Sequence, residues 1–213
     1  SGMDGSITTI GAVSPPGGDF SEPVTQHTTR FVRCFWALDK ALADARHYPS
    51  ISWIDSYTEY IDEVRPWWNS LDESWHATRS GAMNILLEDN RLQQIVKLVG
   101  PDALPVSERL VLFSAEMIKN GFLQQNSFDP KDMHCGPEKQ LMLLKIIVEF
   151  HDEARKLLSS GVDLKSIVSM KAASELIRLK SEIGDGETGL IEKYRQEMRA
   201  EFGSLREMKA GKT

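Results

Sequence analysis

Only one stretch of this chain has the composition of a β-strand, and a strand cannot stand alone. Residues 6–13 (Ser-Ile-Thr-Thr-Ile-Gly-Ala-Val) are rich in β-branched side chains and lie between Gly5 and Pro15, so they predict a strand. Its backbone N–H and C=O groups need a neighbouring ladder. No later segment has comparable β character. The expectation is a chain that holds one strand of a sheet whose other strands lie elsewhere, followed by helices.

The strand leads into Ser14-Pro15-Pro16-Gly17-Gly18-Asp19-Phe20-Ser21-Glu22-Pro23, a dense turn cluster. Its three prolines fix φ and its two glycines permit positive φ, so the loop has a definite shape. Beyond it the apolar spacing is helical. Phe31, Cys34, Phe35, Leu38 and Leu42 predict a helix over about 25–46, closed by His47-Tyr48-Pro49. A short helix is expected over 56–64, stopped near Pro66. Trp67, Trp68 and Trp75 open a long helical stretch, and their closeness reads as core anchors or a partner contact. Gly100 suits its end. Further helices are predicted over 107–121, from Pro137 to Gly161, over 164–183 and over 190–208, with a turn at Asp185-Gly186-Glu187. No internal repeat is present.

Composition narrows the function classes. The 213 residues include 25 Lys plus Arg against 31 Asp plus Glu, a formal net charge of -6. That balance argues against general binding to nucleic acid or anionic membrane. No apolar run approaches the roughly 20 residues of a membrane-spanning helix. Cys34 and Cys135 form neither a disulfide framework nor a four-cysteine zinc site, and they read as reduced, mostly packed residues. The opening Ser1-Gly2-Met3 reads as a cloning remnant around a start methionine.

No self-contained active site is legible. The five histidines (His27, His47, His76, His134, His151) fall in no metal-ligand spacing. His151 sits on an apolar helical face and reads as a core histidine. Glu63, Asp72 and Glu73 read as a solvated face. Gly211-Lys212-Thr213 imitates the end of a P-loop, but Arg206 occupies the position of the motif's first glycine.

Four blocks carry a resemblance to a known family: residues 5–25, with the turn cluster above; Phe35-Trp36-Ala37-Leu38-Asp39; Arg46-His47-Tyr48-Pro49-Ser50-Ile51; and Phe122-Leu123-Gln124-Gln125-Asn126-Ser127-Phe128-Asp129. In order and spacing they resemble the catalytic A subunit of archaeal A-type and vacuolar V-type rotary ATPases. The resemblance runs from Asp4 onward and is least distinctive in the last helix. It implies a mainly α fold: a C-terminal helical bundle domain preceded by the last strand–loop–helix portion of a RecA-like α/β P-loop ATPase domain. The implied division is 1–3 as the remnant, 4–62 as the end of the nucleotide domain and 63–213 as the helical domain.

The resemblance also implies what this stretch does. The P-loop lysine, the Mg²⁺ ligands and the water-positioning carboxylate would lie upstream, so no catalytic or metal residue is assigned here. What remains is the adenine side of the pocket, carried by Tyr48 and Phe128 with Gln125 and Asn126 close by. The residues alone favour ordinary core packing for both aromatics. The family usually has Phe where Tyr48 stands. The full-length protein would use ATP or ADP with Mg²⁺, none of which is expected to bind this piece by itself. Implied partners are B subunits in an alternating A3B3 ring and the central-stalk shaft. Neither nucleic acid nor direct membrane contact is expected, the membrane being met only through the ion-translocating sector. The implied location is the cytoplasmic face of the cell membrane. The loop at 15–23 and the turn at 100–108 correspond to shaft-facing segments of related F-type subunits. Alternatives are a stand-alone helical interaction module and a fragment of the non-catalytic B subunit.

Overall fold

The protein is described by a computed structural model that covers Gly2 and residues 5–211. Ser1 and Met3 of the expected remnant, Asp4, and Lys212 and Thr213 of the P-loop-like tail lie outside the described residues.

Residues 5–15 form no strand. They have no regular secondary structure and are mostly exposed, with Ile7 at 96% and Ile10 at 79%. A strand is stabilised by its ladder, and no neighbouring backbone among the described residues offers one. The turn cluster is shaped as expected: Pro16–Gly18 makes a 3₁₀ turn in which Gly17 and Gly18 take φ of 67° and 75°. Helix α1 (Pro23–Phe31) then starts with Pro23 in its first turn and the Glu22 carboxylate accepting the Thr25 N–H at 2.9 Å.

The single helix expected over 25–46 is interrupted. Val32 is extended, and strand β1 (Cys34–Phe35) pairs antiparallel with β2 (Tyr57–Thr58). Phe35 stacks with Tyr57 and meets the edge of Phe20, both at 5.9 Å between centroids. Asp39 caps helix α2 (Lys40–Asp44) by accepting the Ala41 and Leu42 N–H groups at 2.6 and 3.1 Å. The apparent helical stripe is not a buried face, because Phe31 and Leu38 are 85% and 71% exposed. Cys34 is exposed too, so of the two free cysteines only Cys135 is partly packed.

Helix α3 (Ile61–Leu71) runs through Pro66 instead of stopping there. Proline removes one i→i−4 hydrogen bond. The ring packing just beyond it offsets that loss: Trp68 lies parallel to Trp75 at 5.2 Å and meets Trp67 edge-on at 4.9 Å. Trp75 is buried and opens helix α4 (Trp75–Val99), which stops at Gly100 with φ 81°.

Helix α5 (Val106–Ile118) packs against both α4 and helix α6 (Pro137–Ser159), which also touch each other. The expected helix over 164–183 is three short ones, α7 (Leu164–Val168), α8 (Lys171–Leu176) and α9 (Leu179–Glu182). The breaks at Met170 and Arg178 let the chain bend so that Ile167, Met170, Leu176 and Leu179 all bury against the same core. Helix α10 (Gly189–Ala210) lies along α6. Among the described residues this gives the expected mainly α bundle. No helix in it is long and apolar enough to cross a membrane.

Phe150 of α6 is fully buried, 6.2 Å from Phe113 of α5 and 5.2 Å from Phe202 of α10. Beside it His151 is buried, as expected, with Nδ1 2.8 Å from the fully buried Ser114 Oγ.

This packing leads to two expected outcomes. Phe150→Ala removes the ring shared by three helices and should lower unfolding free energy by about 3–5 kcal/mol in a urea titration; a loss under about 1 kcal/mol would contradict the packing described. The second concerns pH. Burial pushes the His151 imidazole below the ordinary 6.5, and burial with nearby Lys180 and Lys119 does the same to His47. Such a base takes up more protons when unfolded. Its contribution to stability is therefore complete above the ordinary value and is lost as pH falls towards the folded-state value. The urea midpoint should fall between about pH 7.5 and about pH 5.5, and His151→Gln should make that fall shallower. An unchanged slope would contradict a buried, neutral His151.

Candidate functional site

The Arg46–Pro49 block is a tight loop after α2. Arg46 takes a positive φ of 58°, and the His47 N–H donates to the Leu42 carbonyl at 2.8 Å. His47 points inward, buried against Trp53 with ring centroids 5.6 Å apart. Lys119 Nζ lies 5.9 Å over that tryptophan ring and pairs with the buried Asp89 at 2.7 Å. With the inner side of the loop fixed, Tyr48 faces outward, 52% exposed.

The second loop begins where α5 widens into a single π-turn, Lys119–Leu123. Gly121 permits this, because a Cβ there would sit 3.1 Å from Ile177 Cα and 3.2 Å from the Leu176 carbonyl. Gln124 is extended, and the chain then folds back on its own carboxylates. Asp132, 2% exposed, accepts the Asn126 N–H at 2.7 Å. The Asn126 side-chain oxygen accepts the Phe128 N–H at 3.0 Å. Asp129 accepts the Lys131 N–H at 2.8 Å. Phe128 is thereby presented at the apex, 94% exposed.

The two loops are joined directly. The Gln125 N–H donates to the Tyr48 carbonyl at 2.7 Å, and Gln124 Nε2 donates to the Arg46 carbonyl at 3.3 Å. Tyr48, Gln125 and Asn126 thus lie on one assembly across 78 residues of sequence, with Phe128 at its rim. Neither aromatic is a core residue. None of the ring contacts among the described residues involves Tyr48 or Phe128. Chemically the assembly offers two exposed aromatic rings and two exposed carboxamide residues, suited to a flat heteroaromatic ligand. It offers no acid–base pair or nucleophile. Among the described residues no group of three or more His, Cys, Asp or Glu is placed to hold a metal.

Sequence reasoning missed the polar support beneath the loops. Lys180 of α9, 9% exposed, donates to the Gln124 carbonyl and lies 3.9 Å from Asp132 Oδ2. Burial pushes its amine below the usual lysine range, with Asp132 opposing. Lys139 of α6, 1% exposed, donates to the carbonyls of Lys131 at 2.7 Å and Lys180 at 3.0 Å. Asp72, read as part of a solvated face, instead pairs with Lys145 at 2.5 Å; that hydrogen bond and those from Ser74 pull its carboxyl down to about 2.

Two family models match the chain. Residues 1–58 match the nucleotide-binding domain of the ATP synthase alpha/beta family, and residues 65–168 match the C-terminal domain of V and A type ATP synthase. The V-type ATP synthase alpha chain of Halothermothrix orenii is 50% identical over 185 residues, which is 86% of this chain and 31% of that protein. The A subunit of the A-type ATP synthase of Methanopyrus kandleri is 46% identical over 202 residues, 94% of this chain and 34% of its own length. The V-type ATP synthase alpha chain of Nitrosococcus oceani is 43% identical over 205 residues, 96% and 35%. The chain therefore spans about a third of the length of the curated relatives it matches. These relatives bear A-subunit or alpha-chain names, which does not favour a fragment of the B subunit. By both family models and by these relatives, the chain belongs to the V- and A-type ATP synthase A-subunit family and corresponds to its C-terminal region.

Proposed function

We propose that this chain is the C-terminal part of the catalytic A subunit of a rotary ATPase or ATP synthase, and that it forms the adenine side of the nucleotide pocket. The observation that carries the reading is the joined pair of loops: the Gln125 N–H bonded to the Tyr48 carbonyl, with the rings of Tyr48 and Phe128 left uncovered. Two large aromatics held outward on hydrogen-bonded loops are what a flat base needs, each stacked face contributing about 1–3 kcal/mol. Gln125 and Asn126 supply hydrogen-bonding groups beside them. When bound, Mg²⁺ and the phosphate-binding loop would supply the phosphoryl chemistry. The residues here bind and orient the base, and no step at the phosphates is assigned to them.

In this reading residues 4–62 complete the nucleotide domain and 63–213 form the helical domain. B subunits alternate with the catalytic ones in an A3B3 ring. The complex sits at the cytoplasmic face of a membrane, coupling ATP hydrolysis or synthesis to proton or sodium movement through other subunits. The turn at 100–108 meets the central shaft. Leu98, Val99 and Val106 are exposed around it, while its acids are engaged by arginines, Asp102 with Arg109 at 3.6 Å and Glu108 with Arg91 at 3.4 Å. That supports contact through shape and apolar surface more than through charge. The loop at 15–23 faces the same shaft.

Two outcomes are expected. In the full-length protein, assembled with its partners, Phe128→Ala and Tyr48→Ala should each raise the KM for ATP several-fold to about 100-fold, with kcat less affected; unchanged KM in both would sink the base-binding reading. The 213-residue chain by itself has no G-x-x-x-x-G-K-[ST] motif. Purified, it should show no Mg²⁺-dependent ATP hydrolysis, and measurable turnover would contradict the placement of the phosphate machinery outside it.

A further inference from the structure

The support beneath the loops belongs to the helical bundle and not to the lobe that carries Tyr48. Lys180 lies on α9, whose Leu179 is fully buried in the bundle core. Its ammonium donates to the Gln124 carbonyl, and the next residue, Gln125, holds the Tyr48 carbonyl. Asp132, beside Lys180, fixes Asn126, which fixes Phe128. Three more hydrogen bonds tie the same loop to the same short helix. Lys131 Nζ donates to the Glu182 carbonyl at 2.7 Å, and Lys139 Nζ joins the carbonyls of Lys131 and Lys180.

These contacts form one continuous path from the bundle core to both exposed aromatics. Three of its members, Asp132, Lys139 and Lys180, are buried. Burying such charges is costly unless each is satisfied by a fixed geometry. For loop folding alone, an apolar residue could fill the site of Lys180 at less desolvation cost. What an apolar residue could not do is hold a specific carbonyl at a specific place.

We propose that Lys180 and Asp132 are positioning residues for base recognition, through which the helical bundle sets the placement of the Tyr48 and Phe128 rings. This rests on the base-binding reading of those rings. It adds that the position of α9 and the preference for the base are coupled. A bundle that shifts α9 moves Gln124 and Asn126, and with them the loops that carry Tyr48 and Phe128.

The test uses the full-length protein in its assembled complex, with ATP and CTP compared as substrates. Damage to folding alone lowers activity with both nucleotides alike, whereas misplacing the rings reduces the preference for the larger adenine. Lys180→Met should raise the KM for ATP about tenfold, a loss of about 1.4 kcal/mol, and bring the ATP-to-CTP preference down with it. Asp132→Asn, nearly isosteric, should act in the same direction with a smaller effect, and it carries the test if Lys180→Met does not assemble. Combined with Phe128→Ala, Asp132→Asn should add less than its separate effect, because its path through Asn126 ends on that ring. If Phe128→Ala raises the KM while both support variants leave KM and preference unchanged, the positioning proposal is overturned and the base-binding reading stands. If Phe128→Ala itself changes nothing, the base-binding reading falls and this inference with it.

Discussion

Helix α6 carries apolar side chains around much of its circumference, and burying them fixes where nearly everything else in the bundle must go. Leu143, Ile146, Ile147, Phe150 and Leu157 are each about 1% exposed or less. At about 25 cal/mol per Å² of apolar surface removed from water, leaving the apolar faces of that helix open would be costly. Helices α4 and α5 cover one side and α10 another, while the broken run α7–α9 packs on the same core and brings α9 to the two loops. The bends in that run are consequences of this demand. A straight helix over 164–183 would bury fewer of Ile167, Met170, Leu176 and Leu179.

The same demand places the candidate site. Because α9 must pack its Leu179 inward, the adjoining Lys180 is brought beneath Gln124, and the loop that carries Phe128 is held from below. Apolar packing thus sets the position of a polar clamp, and the clamp sets the position of two rings that make no contribution to the core. Exposed aromatics at 52% and 94% are poor for folding. In the proposed reading they are binding surface, and the bundle supplies the rigidity that such surface needs.

Much of the bundle was legible in the sequence. The long helices announce themselves through apolar spacing, and Gly100 and Gly161 mark their ends with φ of 81° and 86°. The lobe before them was not. Residues 6–13 have strand composition, but a strand depends on a partner that local sequence cannot supply. Residues 25–46 show helical spacing, yet Asp39 serves as a cap and Phe35 is drawn into the Phe20–Tyr57 cluster, so two helices and a strand replace one helix. Of the candidate site, the aromatics and amides came from a resemblance and not from periodicity. The charged support stayed hidden because Lys139, Lys180 and Asp132 look in sequence like any solvated face; only the convergence of the two loops on α9 shows that they are buried.

The function proposed for this chain depends on an adenine ring lying between these two loops. Photolabelling the full-length protein with 2-azido-ATP, followed by mass spectrometry of the peptides, tests that contact directly. Label is expected on the Tyr48 and Phe128 loops, within 46–49 and 124–128, protected by excess ATP. Label confined to other peptides, with these two unmodified at saturating probe, would contradict that placement.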